Sequence, residues 1–262
     1  PEMIKTSLKF SIPLLPFIFF DQLIVSGDKY IINAFLNLEQ VGLYAVLLSI
    51  AGVIHIVLNA MDNALRPALF HLFKSGIDTN RAKIMSYYNL YLLIGVIFLY
   101  GIFMVGSHFE YLTDNPKYLS IKPYFGLTIL SMLPLFLVRI FNLQLLYYKK
   151  SKEISKLTFY KAIVILTLFI VLVPLMEIWG AIWAIMISNV LSGVIFGFKV
   201  YPYMRSVYDW SIYWLIGTIF TIFVVSFYLV DFGSPSLVMI MQFIALLTIC
   251  GVIYTKRLAV QF

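Results

Sequence analysis

Apolar residues in this chain gather in runs about as long as a helix that crosses a bilayer. Seven such runs lie at approximately 41–65, 84–106, 122–147, 157–175, 178–200, 210–230 and 235–255. Each is near the roughly 20 residues needed to span about 30 Å of hydrocarbon. An eighth run, 10–35, is interrupted by Pro13, Pro16, Asp21, Asp28 and Lys29. Between the runs lie turn-forming stretches such as Asn37-Leu38-Glu39-Gln40, Ser75-Gly76-Ile77-Asp78, Asp114-Asn115-Pro116 and Asp231-Phe232-Gly233-Ser234-Pro235. The pattern predicts an all-α integral membrane protein of about eight transmembrane helices.

The positions of the basic residues add an orientation. Lys5 and Lys9 precede the first span, and the connection after it carries only Glu39. Arg66, Lys74, Arg81 and Lys83 follow the second span; Lys117 and Lys122 follow the third, offset by Glu110 and Asp114. Lys149, Lys150, Lys152, Lys156 and Lys161 mark the fourth connection, and Glu177 alone the fifth. Lys199 and Arg205 mark the sixth, Asp231 the seventh, and Lys256 and Arg257 the tail. Basic residues thus fill alternate connections, which by the positive-inside rule places both termini in the cytoplasm. Within the spans, 1–202 holds six and 203–262 a further hairpin without internal charge.

Composition supports the same class. Hydrophobic residues make up 62% of the chain and charged residues 12%, about half the charge a water-facing surface carries. The net charge of +7 therefore reports sidedness rather than a nucleic-acid partner. One cysteine, Cys250, excludes an internal disulfide, and His55, His71 and His108 are too scattered for a metal site. The chain opens on Pro1 without a signal-peptide pattern, so it is expected to be a piece of a longer protein. Neither a paired-carboxylate or nucleophile–base constellation nor a glycine-rich phosphate loop occurs, and a non-enzymatic role without a cofactor is expected.

The polar residues inside the spans carry the candidate chemistry, because charge in hydrocarbon is costly and normally faces a cavity or a partner. Gln22, Ser26, Lys29 and Asn33 recur at helical spacing in the first span, with Asp21 and Asp28 one position over. His55, Asn59, Asp62 and Arg66 repeat that spacing in the second, and Thr128, Ser131, Arg139 and Asn142 form a stripe in the fourth. Such stripes either line an aqueous cavity or satisfy one another between packed helices, with Asp62–Arg66 and Asp28–Lys29 as local pairs. Three stripes together favour the cavity. Pro13, Pro16 and Pro134 are candidate hinges, since proline removes a helical hydrogen bond and tends to bend the helix.

Several of these segments resemble a known family. Ser11-Ile12-Pro13-Leu14-Leu15-Pro16 with Ser26-Gly27-Asp28-Lys29-Tyr30-Ile31-Ile32 resembles the seventh helix of Wzx-type polysaccharide repeat-unit flippases, members of the MOP exporter superfamily. Leu38-Glu39-Gln40-Val41-Gly42-Leu43-Tyr44-Ala45 is similar to their short outer turn into the eighth helix. Val173-Pro174 with Trp179-Gly180-Ala181-Ile182-Trp183-Ala184 is similar to a later helical hairpin.

The resemblance implies the C-terminal lobe of a 12–14-helix transporter in the plasma membrane of a bacterium or archaeon. Its partners would be the bilayer, a missing N-terminal lobe, other polysaccharide-assembly proteins and a lipid-linked oligosaccharide. It implies that an undecaprenyl-pyrophosphate-linked repeat unit is flipped to the outer leaflet by alternating access. Arg66, Arg139 and Lys29 are then the expected pyrophosphate cations, with Asn59 and Asn142 beside the headgroup. Asp21, Asp28 and Asp62 are expected to balance charge or bind a coupling ion. Two other functions are compatible with the class: a MATE-like small-molecule or cation antiporter, which should favour acids over arginines in its cavity, and a membrane-embedded glycan polymerase or acyltransferase.

Overall fold

The computed structural model describes residues 15–107 and 119–204, together with positions 12, 218 and 222. Among them there is no strand. The elements are α1 (Leu15–Phe35), α2 (Leu38–Lys74), α3 (Arg81–Ser107), α4 (Lys122–Tyr147) and α5 (Ser151–Met204). The last four are long and apolar enough to cross a membrane. α1 has the length of a span, 21 residues, but carries Asp21, Asp28 and Lys29. The expected spans at 210–230 and 235–255, the hairpin 203–262, Pro13, and the core of the long outer loop fall outside the described residues.

α5 is two helices joined at a corner. Glu177 has φ 52° and ψ −130°, a non-helical conformation that turns the chain between arms 151–176 and 178–204. In one straight helix Glu153 and Lys199 would lie about 70 Å apart at 1.5 Å per residue. Instead Lys199 Nζ lies 4.0 Å from Glu153 Oε2, and Tyr148 Oη donates to the Tyr203 carbonyl at 3.0 Å. The two expected spans 157–175 and 178–200 are these arms. Pro174 precedes the corner, and Gly180 follows it so closely that a Cβ there would strike the Leu172 carbonyl group. The Gln40 amide donates to Glu177 Oε2 at 3.1 Å, tying the corner to the start of α2.

Contacts between helices define their directions. Asp28 meets Tyr44 and Asp62 meets Tyr91, so α1, α2 and α3 run alternately up and down. Gly95 faces Phe136 and Gly106 faces Phe125, while Tyr88 meets Gln144; α3 and α4 are antiparallel, with aromatic rings seated on glycines. α2 runs parallel to α4, with Asp62 level with Arg139 and Phe70 against Tyr147. α1 runs parallel to the first arm of α5, with Phe20 on Phe159 and Gly27 facing Leu166. The second arm lies alongside α4, pairing Trp179 with Tyr124 and Asn189 with Ser131. α4 is consequently the central helix, with an unbroken buried run from Phe125 to Phe136.

Some boundaries move from their expected places. α2 does not end near residue 65 but continues through Arg66 and the internal Pro67 to Lys74, about 55 Å at 1.5 Å per residue. Its start is capped by Asn37, whose side chain accepts from the Gln40 N–H at 2.8 Å. The turn after it uses Gly76 at φ 114°, with the Asn80 amide bonded to the Gly76 carbonyl at 2.8 Å. Lys161, assigned to a connection by the charge pattern, lies well inside the first arm of α5.

A methyl group at residue 180 collides with backbone rather than with a movable side chain. Gly180→Ala is expected to destabilise the folded chain by about 1–3 kcal/mol. Gly101→Ala, where a Cβ meets nothing, should be neutral or slightly stabilising. Thermal unfolding in detergent micelles compares the two, and equal unfolding temperatures would contradict the close approach at the corner.

Candidate functional site

The buried polar groups converge where α2, α3 and α4 meet. Asp62 on α2 is 5% exposed. Tyr91 on α3 donates its hydroxyl to Asp62 Oδ1 at 2.9 Å, and Arg139 on α4 donates Nη1 to Oδ2 at 3.4 Å. The three residues come from widely separated parts of the sequence, and the parallel run of α2 and α4 brings two of them level. The ring of Tyr91 stands edge-on to Phe136, which fixes the hydroxyl toward the carboxylate.

Of the two readings open to Asp62, a local pair with Arg66 or a cavity, the hydrogen bond goes to neither Arg66 nor open space but across the bundle to Arg139. Arg66 is one helical turn away and within electrostatic reach of Asp62, but its buried Nε has no hydrogen-bond partner among the described residues. The carboxylate is turned across the bundle to Arg139, and Arg66 is left with donor capacity. Asn142, one turn beyond Arg139 on α4, likewise has a buried Oδ1 without a partner among the described residues.

A second set of charges adjoins the first. Lys161 on α5 interacts electrostatically with Asp21 on α1 and with Arg139. His55 on α2 is within reach of Arg139, Lys161 and Asp21. The combined cluster therefore holds three basic side chains (Arg66, Arg139, Lys161) against two carboxylates (Asp21, Asp62). Sequence reading passed over Lys161 because it lies among the lysines of a basic connection. The signal that could have found it is its place inside an apolar run, nearly three helical turns past the start of α5 at Ser151.

Other expected site residues behave differently. Asp28 turns inward: its carboxylate accepts from Tyr44 Oη at 2.8 Å and from the Lys29 backbone N–H at 2.6 Å. The Lys29 side chain, with Gln22, Asn33 and Asn59, is exposed, so the six polar residues of α1 do not share one environment. Thr128 and Ser131 are buried in α4 and bond back to the Tyr124 and Thr128 carbonyls at 2.8 and 2.7 Å. For these two, packing between helices is the whole account, and the α4 stripe shrinks to Arg139 and Asn142.

Of the expected hinges, Pro16 sits at the second position of α1. There the N–H has no helical acceptor in any case, so this proline starts the helix rather than bending it. Pro134 is internal to α4 and disrupts the turn before it. The Asn189 amide donates to the Ser131 carbonyl at 2.9 Å in that turn, a clasp between α4 and the second arm of α5. Among the described residues no group of acidic, histidine or cysteine side chains could hold a metal ion.

Comparison with known proteins adds no relative: no family model matches the chain, and neither a curated protein nor a solved structure matches it. The class established by the described residues is a helical protein with four helices long and apolar enough to cross a membrane, enclosing an acid–arginine–tyrosine cluster.

Removing Asp62 strands a cation inside the bundle, whereas removing the Tyr91 hydroxyl deletes one hydrogen bond. Asp62→Ala is expected to cost about 3–5 kcal/mol and Tyr91→Phe about 1 kcal/mol. Unfolding in detergent measures both. A Tyr91→Phe loss as large as that of Asp62→Ala would contradict the assignment of Arg139 as the main partner.

Proposed function

We propose that the chain is one lobe of a MOP-type exporter that moves a lipid-linked oligosaccharide, carried on undecaprenyl pyrophosphate, from the inner to the outer leaflet. The observation that carries this reading is the excess of cations in the cluster around Arg139: Arg66, Arg139 and Lys161 against Asp62 and the exposed Asp21, with Asp28 set apart against Tyr44. Charge placed among apolar helices costs several kcal/mol in translocon-scale terms and is retained where it meets a ligand. An anionic headgroup matches the sign of this cluster, whereas an exporter of cations calls for the opposite balance.

The described helices make six crossings in this reading, α1 to α4 and the two arms of α5, and residues 203–262 add two more. The exposed polar residues of α1 and α2, Gln22, Lys29, Asn33 and Asn59, face a second lobe across a water-filled cleft. The headgroup enters that cleft while the prenyl chain stays in lipid. Arg139 then trades part of its bond with Asp62 for phosphate oxygens, which its planar fork suits. The 3.4 Å separation is longer than a tight charge-assisted bond, which favours such an exchange. Asp62 keeps its bond from Tyr91 when Arg139 leaves. Rocking of the two lobes about the cleft completes the transfer, as in other alternating-access transporters.

Arg139→Ala is expected to abolish surface polysaccharide export while protein abundance in the membrane is retained. Unchanged polysaccharide in that variant would sink the proposal. The orientation has its own test. In a Cys250→Ser background, a cysteine at Glu39 should react with a membrane-impermeant thiol reagent in intact cells. One at Asp78 should react only after lysis, and the reverse pattern overturns the assigned sidedness.

A further inference from the structure

The first arm of α5 has an exposed face that changes character along its length. Lys152, Lys156, Tyr160 and Ile163 are all exposed and recur at i, i+4, i+8 and i+11, one side of a helix. Lys149 extends the row back into the preceding turn. Its φ is 55°, and the Lys150 N–H bonds to the Leu145 carbonyl at 2.9 Å. A lysine therefore holds the left-handed position that closes α4, where glycine is favoured. Glycine would serve that turn better, so the position gains a charge rather than a better turn. The side chains of Lys149, Lys152 and Lys156 make no ion pair among the described residues, and Glu153 beside them is turned to Lys199 at 4.0 Å. That contact also sets the two arms in register, with Leu157 level with Ile195 and Val164 with Ser188. Between them runs a groove, lined also by Tyr160 and Leu191, whose surface is wholly apolar. Tyr160, Leu191 and Ile195 are exposed, so the groove opens to the outside of the bundle. It begins one helical turn past the Glu153–Lys199 contact, and Tyr160 belongs both to it and to the lysine face.

We propose that this lysine row and the groove beside it bind an anionic phospholipid of the leaflet at that end of the bundle. The headgroup phosphate sits at Lys152 and Lys156, with Lys149 adding charge. The glycerol region lies beside Tyr160, an aromatic suited to that depth, and one acyl chain enters the groove between the arms. Lysine stems run along apolar surface while their ammonium groups reach the headgroup layer. Basic clusters at the end of a membrane-crossing helix attract anionic lipid. A soluble polyanion would meet the lysines and leave the groove unfilled. An uncharged lipid would fill the groove and leave the lysines without counter-ions. An anionic phospholipid satisfies both, because its charge and its chain are joined in the order in which the face presents them. The site shares no residue with the Asp62–Arg139 pair and does not rest on the export reading.

The test is the unfolding temperature of the full chain in detergent micelles, titrated with dioleoyl phosphatidylglycerol, dioleoyl phosphatidylcholine or glycerol phosphate. Phosphatidylglycerol should protect at lower concentration than phosphatidylcholine, and glycerol phosphate should not protect. The double variant Lys152→Gln with Lys156→Gln should unfold at the wild-type temperature without lipid. It should need about thirtyfold more phosphatidylglycerol for the same protection, the scale of two basic residues at an anionic headgroup. Leu191→Trp, which fills the groove from its open side, should weaken protection by both lipids. Equal protection by the two lipids in the wild type overturns the proposal, as does a preference for phosphatidylglycerol that survives in the double lysine variant. Protection by glycerol phosphate equal to that by phosphatidylglycerol overturns the lipid site in favour of a patch for free anions or an acidic partner. Unchanged protection in a folded Leu191→Trp protein overturns the role of the groove; if that variant does not fold, the glycerol phosphate comparison decides. Each of these failures leaves the proposed function standing, because export is tested at Arg139.

Discussion

The ion pair between Asp62 and Arg139 is the constraint on which the arrangement of helices depends. Neither group can be left alone among apolar side chains, because an isolated charge in such a medium is far costlier than any single packing contact. Pairing them sets α2 and α4 side by side in parallel, and the Tyr91 hydroxyl brings α3 to the same level. Parallel neighbours in an up-and-down chain must be separated by an antiparallel helix, and α3 fills that place. The rest of the packing follows the same geometry: rings from α4 seat on Gly95 and Gly106 of α3, and α5 folds back so that both arms reach the bundle. A buried pair of this kind adds little net stability compared with apolar residues of the same size. Its presence therefore points to specificity or use rather than to strength.

Much of the fold was legible in the sequence because hydrocarbon imposes one solution on the backbone. Helices satisfy their own N–H and C=O groups, so each apolar run of sufficient length reads as a helix. The runs that became α1 to α4 and the arms of α5 were visible for that reason, and so was the corner at Glu177, the one charged residue between two runs. The end of α2 was not. Polar residues past 65 look like a connection, yet Arg66 to Lys74 continue the helix, since nothing in that stretch except Pro67 opposes it. The close seat of Gly180 on Leu172 explains why a small residue follows the corner, a reason that sequence could not supply.

The site was less legible, and for a definite cause. Spacing along one helix shows which residues share a face, but not which way the face turns or what another helix brings to it. Asp62 and Arg66 share a face, and spacing offers them as a local pair beside the favoured cavity; the arginine bonded to Asp62 is 77 residues away on another helix. Asp28 stood among the polar residues of α1, yet it turns inward to Tyr44. Thr128 and Ser131 kept the helical rhythm and nonetheless bond only to their own backbone. Lys161 was hidden by its basic neighbours. Partner choice between helices is a property of the three-dimensional register, which a single sequence does not encode in local pattern.

The central claim is that Arg139 exists for a ligand and not only to neutralise Asp62. A charge swap separates these roles. The double variant Asp62→Arg with Arg139→Asp keeps an opposite-charge pair across α2 and α4 but moves the cation to the other helix. The account predicts that the swap recovers unfolding stability relative to Asp62→Arg alone while export of polysaccharide stays lost. Recovery of both stability and export by the swapped protein would contradict it, and would reduce the pair to a packing device.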